Sequence, residues 1–80
     1  MTDTSRANVI DALLEVAPEA DPTAIAGDVP LRRQLDIDSM DFLSFLEALA
    51  DRTGVEIREE DYDQVATLDG CVEYVDRQLA

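Results

Sequence analysis

Eighty residues, 46% of them hydrophobic, suit one domain over 1–80 with a small core, because a chain this short buries only about 60% of the surface its unfolded form exposes. Nineteen Asp and Glu against six Arg, with no Lys or His, give a net charge of -13, a field that repels phosphate backbones, excludes nucleic acid as a partner and attracts basic protein surfaces within a Debye length of about 8 Å. A lone cysteine, the absence of paired zinc-ligand motifs and the lack of any secretory or membrane-length apolar run lead us to expect a cytoplasmic monomer with no membrane span and no metal centre.

In chain order, Val9, Ile10, Leu13, Leu14 and Val16 recur at spacings of three and four, which predicts an amphipathic helix from Ser5 to Ala17, capped by Asp3 or Thr4 and stopped by Pro18. Residues 18–38 hold all three prolines and Gly27 but also Ile25, Val29, Leu31, Leu35 and Ile37, the pattern of a long packed loop. From Ser39 the apolar residues Phe42, Phe45, Leu46 and Leu49 predict a second helix running to about Thr53, with Gly54 closing it. The stretch from Glu59 to Tyr62 suits one helical turn. A last helix follows on Leu68, Cys71, Val72, Val75 and Leu79, with Thr67 as its cap and Asp69 in its first turn. The expected fold is all-α, a small four-helix bundle of three long helices and one short one, with a long loop between the first two.

No catalytic residue is expected. Without histidine, neither a Ser-His-Asp nor a Cys-His arrangement can form, and Cys71 falls on the apolar stripe of the last helix, where burial and nearby acidic residues disfavour a thiolate. Asp36 and Glu47 are spaced like the first and last ligands of a calcium loop. Met40 stands at the fifth position, Asp41 where a glycine is required, and the following stretch is apolar, so that reading fails. By spacing alone Ser39 reads as a helix cap.

The string Leu35-Asp36-Ile37-Asp38-Ser39-Met40-Asp41 nevertheless resembles the modification site of acyl carrier proteins, in which Asp-Ser-Leu or Asp-Ser-Met opens the second helix. The resemblance spans nearly the whole chain. Gly54-Val55-Glu56-Ile57-Arg58-Glu59-Glu60-Asp61 is similar to the family's approach to its third helix, Val65-Ala66-Thr67-Leu68 to the start of its fourth, and Tyr74-Val75 to an aromatic-aliphatic pair near its end. Asp38, in place of a Gly-His pair, resembles fatty-acid and polyketide carriers more than peptidyl carriers.

The resemblance implies that the Ser39 hydroxyl receives 4′-phosphopantetheine from coenzyme A through a phosphopantetheinyl transferase, and that the protein then serves acyl-loading, condensing or acyl-transfer enzymes with basic docking surfaces. It points to a free-standing specialised carrier for fatty-acid or polyketide-type biosynthesis. The alternative is an acidic helical interaction module with no prosthetic group. Partner recognition is expected at Asp38, Met40, Asp41, Leu43, Glu47 and Asp51. Ser44 stands where many members carry a glutamate, which interrupts the usual acidic row. Phe42, Phe45, Leu46 and Tyr62 are the expected acyl-pocket residues. Phe42, Phe45 and Tyr62 are bulkier than is common at these places, so we expect aromatic rings to fill much of the cavity and a short or polar cargo to ride largely exposed, with Ala48 and Ala66 as sources of slack.

Overall fold

A computed structural model describes residues 2–79 as helices joined by ordered loops, with no strand among the described residues. The elements are α1 (Thr2–Val16), α2 (Leu31–Gln34), α3 (Ser39–Thr53), a 3-10 helix (Glu59–Val65) and α4 (Leu68–Leu79). Helix α1 packs most extensively on α3 and next on α4, and α4 also packs against the 3-10 helix. The fold agrees with the expected helical bundle and adds one short helix to it.

Helix α1 starts at Thr2, so Asp3 and Thr4 lie within its first turn and do not cap it as expected. The extra N-terminal turn has a tertiary anchor: Ser5 is buried, 1% exposed, and its hydroxyl donates to Asp76 Oδ1 on α4. Val9, Ala12 and Leu13 are fully buried, whereas Ile10 and Val16 pack at the margin of the core. Beyond Val16 the Ala17 N–H still bonds Leu13 O at 2.8 Å, and Pro18 then ends the helical pattern.

The long loop carries its own framework. Gln34 acts as a second backbone, its Oε1 accepting from Ala26 N–H and its Nε2 donating to Ala26 O and Val29 O, each at 2.9 Å. Asp21 accepts from both the N–H and the hydroxyl of Thr23, and these bonds hold its carboxyl below the ordinary value of 3.8. Leu31 N–H bonds Ala66 O at 2.8 Å and Asp69 N–H bonds Gly27 O at 3.0 Å, so the loop is docked on the start of α4. The same approach sets the Gly27 Cα against the exposed Asp69 carboxylate, whose Oδ1 would lie 2.3 Å from an added Cβ and would have to turn away. Helix α2 was not expected. It is too short to show a periodicity, and the local feature that precedes it is Pro30 with φ -52.

Helix α3 follows its expected bounds. Phe42, Phe45, Leu46 and Leu49 face inward, and Phe42 and Phe45 make a tilted ring pair with centroids 5.9 Å apart. Gly54 closes the helix in the left-handed region, φ 72 and ψ 7, with its N–H on Ala50 O. Arg52 links this end to α1, its Nε lying 2.9 Å from Glu15 Oε2 and its Nη1 3.8 Å from Asp11 Oδ2. Both pairs are half-exposed, where such contacts contribute up to about 1 kcal/mol.

The turn expected at Glu59 extends to Val65, a buried anchor that draws a second 3-10 turn onto the core. Thr67 caps α4 as expected, its Oγ1 accepting from Gly70 N–H at 3.0 Å. Leu79 departs from the expected stripe: it is 55% exposed, because α4 outruns the core there, while Tyr74 is buried instead.

Candidate functional site

The local chain path decides how Ser39 is presented. After α2, Leu35 N–H bonds Leu31 O and Ile37 N–H bonds Arg32 O, the six-to-one bond of a left-handed helix stop. Asp36 takes the left-handed position with φ 53. Ile37 is thereby buried, and the chain leaves it as Asp38 in extended backbone, φ -84 and ψ -179. The Asp38 carboxylate accepts from Asp41 N–H at 2.8 Å, and its carbonyl accepts from Phe42 N–H at 2.9 Å.

Asp38 is therefore the N-cap of α3, and Ser39 is its first helical residue. The capping role that spacing alone offered to Ser39 is filled by its neighbour. Ser39 is exposed, and its hydroxyl makes no hydrogen bond among the described residues. It lies at the positive end of a 15-residue helix, where unpaired N–H groups and the macrodipole favour a bound negative charge.

Beside Ser39 opens a cleft of about 400 Å³. Pro30 and Arg32 bound it on the α2 side, Phe42 and Leu43 on α3, and Tyr62, Asp63 and Ala66 around the 3-10 helix, with Ser39 part of the same lining. Apart from Arg32, Ser39 and Asp63 its walls are carbon-rich. Of the expected pocket residues, Phe42 and Tyr62 are here. Leu46 lines a neighbouring cleft of about 400 Å³ with Leu43, Glu47, Ala50, Ile57 and Tyr62 among its walls. Phe45 is fully buried in the core and lines neither. The rings flank the space that they were expected to fill, and of the two alanines named as slack, Ala66 lines it while Ala48 packs on the core.

The residues expected at a partner surface are all exposed. At about 100° per helical residue, Met40, Leu43, Glu47 and Asp51 share one stripe of α3 opposite the core-facing residues. Met40 is 76% exposed and Leu43 42%. Asp41 lies off that stripe and borders a different cleft with Asp36, Glu19 and Val16 among its lining.

Cys71 is a core group: its Sγ–H donates to Val65 O at 3.2 Å, and burial pushes the thiol up to about 12. Among the described residues no group of three or more acidic, cysteine or histidine side chains is placed to hold a metal ion, and no helix is long and apolar enough to cross a membrane.

Sequence reasoning missed Pro30, Arg32 and Asp63 as neighbours of Ser39. Only Arg32 left a signal, as half of an Arg-Arg pair seven residues upstream of Ser39 in a chain with six basic residues.

A small helical domain that presents an unengaged serine at a helix start beside an apolar cleft has the build of a carrier for a tethered group. The comparisons agree with that class: the family model of the phosphopantetheine attachment site matches residues 8–75. An acyl carrier protein of Lactobacillus johnsonii is 31% identical over 75 residues, covering 94% of each chain. The chain belongs to the phosphopantetheine-binding acyl carrier family, whose prosthetic group is 4′-phosphopantetheine. The residues present fit such a group, since a free hydroxyl, a helix N-terminus and a guanidinium meet beside the cleft.

Proposed function

We propose that this protein carries acyl intermediates on a 4′-phosphopantetheine arm joined to Ser39, as a cytoplasmic carrier for fatty-acid or polyketide-type biosynthesis. The observation that carries this reading is the exposed Ser39 hydroxyl, left free by the Asp38 cap and set beside an apolar cleft.

Attachment consumes coenzyme A. Ser39 Oγ forms a bond to the phosphorus that bears the pantetheine, the pyrophosphate P–O bond breaks, and adenosine 3′,5′-bisphosphate leaves. The hydroxyl proton passes to a base in the complex with the transferase. Once attached, the arm supplies a mobile thiol that holds an acyl group as a thioester. Ser39 then fixes the origin of the arm, and the walls from Phe42 to Tyr62 offer its cargo an apolar surface.

Met40 and Leu43 present apolar contact area on the outward face of α3, with Glu47 and Asp51 on the same stripe and Asp38 and Asp41 at the helix start. Such a surface suits basic enzymes, whose encounter it steers and whose contact Met40 and Leu43 anchor.

Intact-mass measurement after incubation with coenzyme A and a phosphopantetheinyl transferase tests the reading. Wild type should gain one phosphopantetheine group, Ser39→Ala should fold and gain none, and Asp41→Lys should load more slowly at low salt. Failure of wild type to load with active transferases would favour an acidic interaction module instead, and a loaded Ser39→Ala variant would move the site elsewhere.

A further inference from the structure

Arg32 is an unusual side chain for its surroundings. The protein has 19 acidic residues and six arginines, and Arg52 and Arg58 spend their charge on carboxylates. Arg32 has no ion pair or hydrogen bond from its side chain among the described residues. It is exposed and lines the same cleft as Ser39, where it is the only cationic residue.

Its placement is built into the backbone. The Arg32 carbonyl accepts the Ile37 N–H at 3.2 Å, two residues before Ser39, so the left-handed stop at Asp36 turns the chain between them, and Arg32 and Ser39 line one cleft. Asp63 lines the cleft too, yet no ion pair joins it to Arg32. An arginine left unpaired beside a carboxylate, next to a serine flanked by Asp38 and Asp41, is available to an anion that arrives on that serine.

Resting on the reading of Ser39 as the attachment point, we propose that Arg32 is a positioning residue for the arm: its guanidinium takes a non-bridging oxygen of the phosphodiester on Ser39 and turns the arm into the cleft between Phe42 and Tyr62. The guanidinium fork is suited to two oxygens of one phosphate, and the contact offsets the repulsion that Asp38 and Asp41 exert on it. A carboxylate on the cargo is the other anion that the same guanidinium could hold.

The test uses the holo-protein of wild type, Arg32→Gln, Arg32→Lys and Arg33→Gln, each first shown by intact mass to carry one arm. Failure to load wild type would overturn the reading of Ser39 and is seen at that step, before Arg32 is queried. Two quantities are then compared with no cargo on the thiol: the 31P line width and shift of the phosphodiester, and the difference in melting temperature between holo and apo forms. Wild type should show a broadened 31P line and a holo-minus-apo gain that shrinks as salt rises. Arg32→Gln should narrow the line and lose the gain, Arg32→Lys should restore part of both, and Arg33→Gln, whose side chain does not line the cleft, should match wild type. Equal 31P lines and equal gains in wild type and Arg32→Gln would overturn the proposal. Loading wild type and Arg32→Gln with butyryl and with succinyl groups separates the two anions. A difference between the variants that appears only with succinyl would overturn the phosphodiester assignment and give the guanidinium to the cargo carboxylate.

Discussion

Asp36 holds a left-handed backbone at φ 53, a conformation that crowds its Cβ and that glycine or asparagine adopts at lower cost. It is kept because the six-to-one bond from Ile37 to Arg32 needs a residue there that reverses the chain, and the reversal delivers Ser39. Replacing Asp36 by Gly should therefore stabilise the apo-protein by about 1 kcal/mol, read as a higher urea midpoint at unchanged slope. Asp36→Asn separates geometry from charge, since it keeps the tolerance for this conformation and removes one carboxylate from the acidic cluster. A Gly variant no more stable than wild type would show that the surrounding contacts relieve the strain. The same residue explains a limit of sequence reading: an aspartate in the left-handed region is unmarked in the sequence, whereas Gly54 announced the end of α3.

At the scale of elements, the seam between α4 and the 3-10 helix is held at three levels. Cys71 Sγ–H donates to Val65 O, Tyr74 O–H donates to Asp61 Oδ2 at 2.8 Å, and Arg77 donates to Gln64 Oε1 at 2.8 Å while its guanidinium sits 5.9 Å from the Tyr74 ring centre. Gly70 lets the two elements approach, because a Cβ there would lie 2.2 Å from the Gln64 carbonyl oxygen. Two of these groups make the seam sensitive to alkali. Burial raises the Cys71 thiol from 9.0 to about 12, and donation to Asp61 raises the Tyr74 phenol above 10.0. Because both folded values lie above the unfolded ones, the stabilisation is complete below pH 9.0 and is lost as pH climbs toward about 12. Denaturant titrations at pH 8, 10 and 11, chosen about these values, should show a fall in stability that Cys71→Ala reduces from its lower-pH side and Tyr74→Phe reduces above pH 10. An identical fall in both variants would place the alkaline step elsewhere.

Across the whole molecule, the radius of gyration of 11.1 Å and a net charge of -13 mean that many carboxylates share a small surface. The apolar cleft beside Ser39 has a volume of about 400 Å³, which bounds what cargo it can shelter. Since Phe42 and Tyr62 flank that space, an acyl group of moderate length is expected to enter it. Melting temperatures of acetyl, hexanoyl and palmitoyl forms should rise from the first to the second, with about 0.8 kcal/mol per fully buried methylene as the upper guide, and then level off once the cleft is full. Thioester hydrolysis should slow over the same step. Indifference to chain length would mean that the cargo rides exposed, as the bulk of the rings first suggests.

How much was legible follows from the range of the forces involved. The stripe of α3, the Thr67 cap and the Gly54 stop are local consequences of side-chain spacing and backbone freedom, and they stand in the sequence as they stand in the fold. Asp38-Ser39-Met40 was likewise readable, because its three residues are contiguous and resemble the opening of the family's second helix. Tertiary structure alone decided the rest. Whether Asp38 or Ser39 would cap α3 depended on how the chain leaves Ile37, and the burial of Ser5 depended on Asp76, 71 residues away. Phe42 and Tyr62 line a space or fill it according to where the 3-10 helix settles, and that is set by Val65 and the contacts along α4. Arg32 joins Ser39 through the local turn at Asp36 and the docking of Leu31 on Ala66, and no spacing rule encodes the second, a hydrogen bond between distant backbone segments.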